Sequence, residues 1–178
     1  VLGVEHILLG IDHLLFVLAL VLLIDGRWRL VKTITAFTLA HSITLAGTSL
    51  GLMSLPPRPV EAVIALSIVF LAVELALSRR DGARLSERVP WVIAFAFGLL
   101  HGFGFAGALA DIGLPEGEVP MALLTFNLGV EAGQIAFVFA MLAALWVVTK
   151  GISRQLVNRL ASYGIGIMAS FWLIERIL

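Results

Sequence analysis

Cysteine is missing from this 178-residue sequence altogether, which removes disulfides, thiolate nucleophiles and thiolate metal ligands. Any metal ion would have to be held by imidazole, carboxylate, amide or hydroxyl groups. Charge is also scarce, at 13% of residues, about half of what a soluble domain carries. Lysine plus arginine balance aspartate plus glutamate at 12 each. The basic residues lie in short breaks between apolar runs, not in a patch, so no nucleic-acid partner is expected. Neither a phosphate-binding loop motif nor a soluble domain is present to drive work with ATP. The sequence opens on Val1 without a basic segment before its first apolar run, so a cleaved signal peptide or a trimmed start is expected to precede it.

Long apolar runs fill the space that charge leaves. The chain is 60% hydrophobic, with a mean hydropathy of +1.05. Crossing a hydrocarbon core of ~30 Å takes roughly 20 helical residues. Six segments meet that length: 3–24, 31–53, 59–78, 90–111, 120–149 and 157–178, the fifth long enough to tilt. Their apolar residues are continuous rather than alternating, which predicts helices and not a barrel. The expected fold is therefore all-α, a single six-helix transmembrane domain over residues 1–178. The breaks set its orientation. Arg27, Arg29 and Lys32 mark the first, Arg79, Arg80, Arg84 and Arg88 the third, and Lys150, Arg154 and Arg159 the fifth. The second holds only Arg58, and the fourth holds Asp111, Glu116 and Glu118. Basic loops alternating with non-basic ones place both termini outside, the periplasmic side of an inner membrane.

Within these runs polar groups recur at one height. A helix rises ~1.5 Å per residue, so His13, His41, His101 and Glu131, each nine to eleven residues from a span end, lie ~14–17 Å deep. That is half a bilayer, reached on four different helices. Asn127 and Gln134 flank Glu131 on its helix face. His6 and His13 share a face ~10 Å apart along the axis, with Glu5 and Asp12 on the adjacent stripe. Read as one straight helix, this face descends from the outer mouth to the midplane. All four histidines lie in spans, where an ionisable group costs roughly 3 kcal/mol or more and marks a functional path. Imidazole and carboxylate without thiolate suit Ni²⁺, Co²⁺ or Zn²⁺. Blander roles compete at single positions. Ser42 and Ser67 can bond back to their own helix carbonyls, Glu61 and Glu74 can snorkel or cap, and Gly98, Gly102, Gly104, Gly107, Gly129, Gly133, Gly164 and Gly166 can serve close helix packing.

At these residues the chain resembles the HupE/UreJ family of hydrogenase and urease accessory membrane proteins, in its second type. The resemblance rests on His6-I-L-L-G-I-Asp12-His13, FTLAHSITLA (37–46), LLHGFGFAGAL (99–109) and FNLGVEAGQ (126–134). It implies six helices and permeation of nickel, sometimes cobalt, with His6, Asp12 and His13 as the metal-handling triad and His101 in the fourth-helix motif. A second histidine and a glutamate that follow that position in a related branch are replaced here by Phe103, Gly104, Phe105 and Ala106, which leaves Glu131 as the carboxylate to stand in for them. FTLAH at 37–41 and FNLGVE at 126–131, on helices of opposite direction, suggest a 3+3 inverted repeat.

Three functions are weighed. A permease would move a divalent metal inward through His6, Asp12, His13, His41, His101 and Glu131, with Glu5, Ser42, Ser67, Asn127 and Gln134 in support. An intramembrane zinc hydrolase would use the histidines, an acid and Ser42 on a lipid or membrane peptide. An accessory scaffold would need no polar cluster at the midplane.

Overall fold

A computed structural model describes residues 2–77, 85–104 and 119–178. Among the described residues all regular structure is helical: α1 (Leu2–Leu9), α2 (Ile11–Leu23), α3 (Arg27–Ser49), α4 (Pro57–Leu77), α5 (Leu85–Arg88), α6 (Pro90–Gly104), α7 (Val119–Val148) and α8 (Arg154–Ile177). The loop charges Arg79, Arg80, Arg84, Asp111, Glu116 and Glu118, and the sequence motif beyond Gly104, lie outside the described residues.

The first apolar run is not one straight helix. It breaks at Gly10 and its two parts meet at 76°. Gly10 has an extended backbone, φ −79° and ψ 93°, and glycine in a helix interior is less favourable than alanine by about 0.5–1 kcal/mol. Across the break the Gly10 N–H still reaches the His6 carbonyl at 3.0 Å, and the Leu14 N–H reaches the Gly10 carbonyl at 3.0 Å. Asp12 falls in the first turn of the new helix, where a carboxylate is favoured.

Arg27–Ser49, Pro57–Leu77 and Val119–Val148 are long and apolar enough to cross a membrane, and the bent pair adds a fourth crossing if counted as one span. The six expected segments each hold a helix, but two fall short of that test. The described part of α6 is 15 residues long. α8 has the length, at 24 residues, yet carries Arg154, Arg159, Glu175 and Arg176.

α2 lies at the centre, packed against α4, α7 and α8. Residues Phe16, Val17 and 19–24 are buried around its whole circumference, as a helix apolar on every side must be. Close approach elsewhere needs glycine. A Cβ on Gly98 would collide with the Phe37 carbonyl, and one on Gly102 with Thr44 Oγ1 and the His41 carbonyl. Gly98-x-x-x-Gly102 thus seats α6 against α3, running parallel to it. A Cβ on Gly3 would collide with the Phe126 carbonyl, while Gly129 faces Gly3 and Gly133 faces Val4 and Ile7, so α1 runs parallel to α7. Leu45 and Ala46, near the end of α3, cluster with Val119, Leu123 and Phe126 at the start of α7. These two helices therefore run in opposite directions. α4 and α8 are also antiparallel: Arg176 Nε lies 3.4 Å from Glu61 Oε2, and Gly166 approaches Ala72 farther along.

The outward side of the bundle is apolar. Leu160, Tyr163, Ile167, Phe171 and Ile174 form an exposed stripe at helical spacing along α8, the surface that lipid covers.

Candidate functional site

The four histidines of the chain come together. His6 comes from the end of α1, His13 from the start of α2, His41 from mid-α3 and His101 from α6. His13 touches the other three, with ring centroids 4.6 Å from His6, 6.3 Å from His41 and 5.2 Å from His101. His6 and His41 are 6.1 Å apart. His41 and His101 are each 1% exposed and His13 7%. Phenylalanines close the cluster: Phe37 stacks on His41 at 6.2 Å and meets His101 at 5.1 Å, Phe16 lies 5.2 Å from His101, and Phe126 lies 5.5 Å from His6.

The bend at Gly10 corrects the expected position of His6. A straight helix would hold it ~10 Å above His13 near the outer mouth, whereas folding α1 across α2 brings the two rings into contact. Gly10 is confined by the corner it makes. A Cβ there would lie 2.8 Å from both His13 Nδ1 and the His6 carbonyl, and 3.2 Å from Asp12 Oδ1.

Hydrogen bonds orient two of the rings. His13 Nδ1 lies 3.0 Å from Asp12 Oδ1, which also accepts the His13 backbone N–H at 2.8 Å. His101 Nδ1 lies 2.8 Å from the Phe97 carbonyl. A carbonyl can only accept, so His101 carries its proton on Nδ1 and a lone pair on Nε2. A carboxylate beside His13 selects the same tautomer. His13 Nε2, His101 Nε2 and both ring nitrogens of His41 are buried with no hydrogen-bond partner among the described residues. An imidazole whose Nδ1–H is given to a carboxylate or carbonyl, leaving Nε2 with its lone pair, is the arrangement that prepares a metal ligand. Among the described residues, no group of three or more His, Asp or Glu side chains is placed so that it could hold a metal ion as it stands.

The remaining predicted residues divide. Glu131 is not placed against the rings; it accepts from Thr35 Oγ1 at 2.8 Å, six residues or ~9 Å along α3 from His41. Gln134 Oε1 accepts from Thr38 Oγ1 at 2.8 Å. These pairs make a second polar layer between α3 and α7. Ser42 donates to the Thr38 carbonyl at 2.7 Å, Ser67 to the Ile64 carbonyl at 2.6 Å, and Asn127 Nδ2 to the Leu123 carbonyl at 2.8 Å, so all three bond back to their own helices. Glu5 is exposed on α1. Glu61 pairs with Arg176, and Glu74 accepts from the backbone N–H and hydroxyl of Ser86 at 3.3 and 2.5 Å. Thr35, Thr38 and Gly10 were not among the expected site residues. Thr35-x-x-Thr38-x-x-His41, a polar stripe at a spacing of three, was the signal for the first two.

The family model described as HupE / UreJ protein matches residues 1–176. No curated protein and no solved structure matches the chain. Apolar helices and the family together mark a multi-pass membrane protein.

Proposed function

From the chain's belonging to the HupE/UreJ family, we propose that it is a permease that moves a divalent transition-metal ion inward across the inner membrane, with nickel as cargo ahead of cobalt and zinc. One observation carries this reading: four imidazoles are gathered in the interior, and in two of them, His13 and His101, Nδ1–H is given to an acceptor while Nε2 is buried with no partner among the described residues. Such a donor set suits a borderline divalent cation. Asp12 supplies negative charge beside it. Glu131, with Thr35, Thr38 and Gln134, offers the next oxygen-rich layer along α3. Neutral imidazole binds metal and protonated imidazole releases it, so the same groups can couple movement to protons.

Six crossings with both termini outside accord with the alternating basic loops. The helix directions agree with that arrangement, α3 parallel to α6, α1 parallel to α7 and α4 opposed to α8. Ser42, which a hydrolytic site would require near His41, has its hydroxyl committed to the Thr38 carbonyl.

Purified protein in sealed proteoliposomes tests the assignment. Time-dependent nickel accumulation, competed by cobalt and zinc, is expected; accumulation no greater than in protein-free vesicles would refute it. Turnover of lipid or membrane-peptide substrates in a zinc-loaded sample without metal flux would favour hydrolysis.

A further inference from the structure

Two short motifs occupy matching places in the two halves of the chain. Gly3-Val4-Glu5-His6 lies on α1 and Gly98-Leu99-Leu100-His101 on α6. In each, glycine is followed three residues later by a histidine of the cluster. Each glycine is seated where a Cβ would strike the carbonyl of a phenylalanine on a parallel helix, Phe126 of α7 for Gly3 and Phe37 of α3 for Gly98. Those phenylalanines open the two related segments FNLGVE and FTLAH. The helix pairing obeys the same rule. Exchanging α1 with α6 and α3 with α7 turns the α1–α7 contact into the α6–α3 contact, and both are parallel and glycine-mediated. Exchanging α4 with α8 turns their contact into itself, and that pair is antiparallel, as an inverted relation demands. Chance similarity of two short apolar segments does not account for a shared glycine seat, a shared histidine offset and a shared pairing.

We infer that the two halves are inverted repeats in which α1 and α6 are equivalent gate helices, His6 meeting the cation from one side of the membrane and His101 from the other, with His13 between them as the shared ligand. This rests on the permease reading above and adds the moving parts. His13 touches both gate histidines, at 4.6 and 5.2 Å. α1 is joined to α2 through the Gly10 break, a point where a gate can pivot without unravelling α2. Inverted repeats meeting at a midplane site generate alternating access when one element moves against its partner.

The cysteine-free background allows a direct test. A Cβ on Gly133 lies 3.5 Å from Ile7 Cβ and makes only ordinary contacts, within about 3.5–4.5 Å where disulfides form. Ile7→Cys/Gly133→Cys therefore ties α1 to α7. Proteoliposome uptake of nickel and chelator-induced release of nickel from detergent-solubilised protein are measured for oxidised and reduced samples. The oxidised pair is expected to keep bound nickel but lose uptake, and reduction to restore it. Oxidised protein that carries and releases nickel as the reduced form does would overturn the gate assignment while leaving the permease standing. Wild-type protein that neither binds nor carries nickel would overturn the permease reading and the gates with it. Ile7→Cys and Gly133→Cys singly must transport in both redox states, and loss of uptake in oxidised single variants would equally count against a gate acting through the cross-link.

Discussion

Replacing Asp12 with alanine removes one carboxylate that holds His13 twice, at its backbone N–H (2.8 Å) and at Nδ1 (3.0 Å). Without that acceptor the ring is free to rotate and to move its proton to the buried Nε2. Removing such a partner of a ligating histidine costs roughly 10–100-fold in metal affinity, or about 1.4–2.7 kcal/mol. Fold stability falls less. Asp12 is partly exposed, with 25% of its side chain accessible, and an acidic residue in the first turn of a helix contributes about 0.3–1 kcal/mol. Asp12→Asn separates hydrogen bonding from charge, because its amide oxygen can still accept from Nδ1. Nickel titration of detergent-solubilised protein, with thermal unfolding as the control for fold, should rank affinity as wild type, then Asn, then Ala. Folded Asp12→Ala protein that binds nickel as tightly as wild type would show that the Asp12–His13 contact does not prepare a ligand.

Gly102→Ala should separate α3 from α6, because its Cβ would run into Thr44 Oγ1 and the His41 carbonyl; a loss of about 1–3 kcal/mol in detergent unfolding is expected, accompanied by weaker nickel binding. Gly164→Ala has nothing within 4 Å and should stabilise α8 by about 0.5–1 kcal/mol with uptake unchanged, which the same unfolding scan and vesicle assay check. Glu131→Gln keeps an acceptor for Thr35 but removes the charge of the second layer, so nickel uptake should slow while affinity at the imidazole cluster holds; equal loss in both would place Glu131 among the primary ligands.

The helices were legible because continuous apolar runs leave few other options in a bilayer. Convergence of His13, His41 and His101 was legible too, since helix rise converts position into depth. Depth counted from span ends does not give direction around the axis or the reach of a side chain, and Glu131 shows the difference: it is expected in the histidine layer, yet its carboxylate accepts from Thr35, six residues along α3 from His41. The break at Gly10 was concealed by the run around it. A lone glycine is tolerated in a helix, and neighbouring leucines and isoleucines would fit a straight span equally well. Asp12, two residues beyond the glycine, was the sign of a new helix start. That single break moved His6 from the mouth into the cluster.

X-ray absorption at the nickel edge, recorded on purified nickel-loaded protein and on His13→Ala, probes the imidazole cluster itself. Multiple-scattering from several imidazoles is predicted for wild type, with fewer in the variant. A shell of oxygen donors alone, or a spectrum that His13→Ala leaves unchanged, would contradict the account.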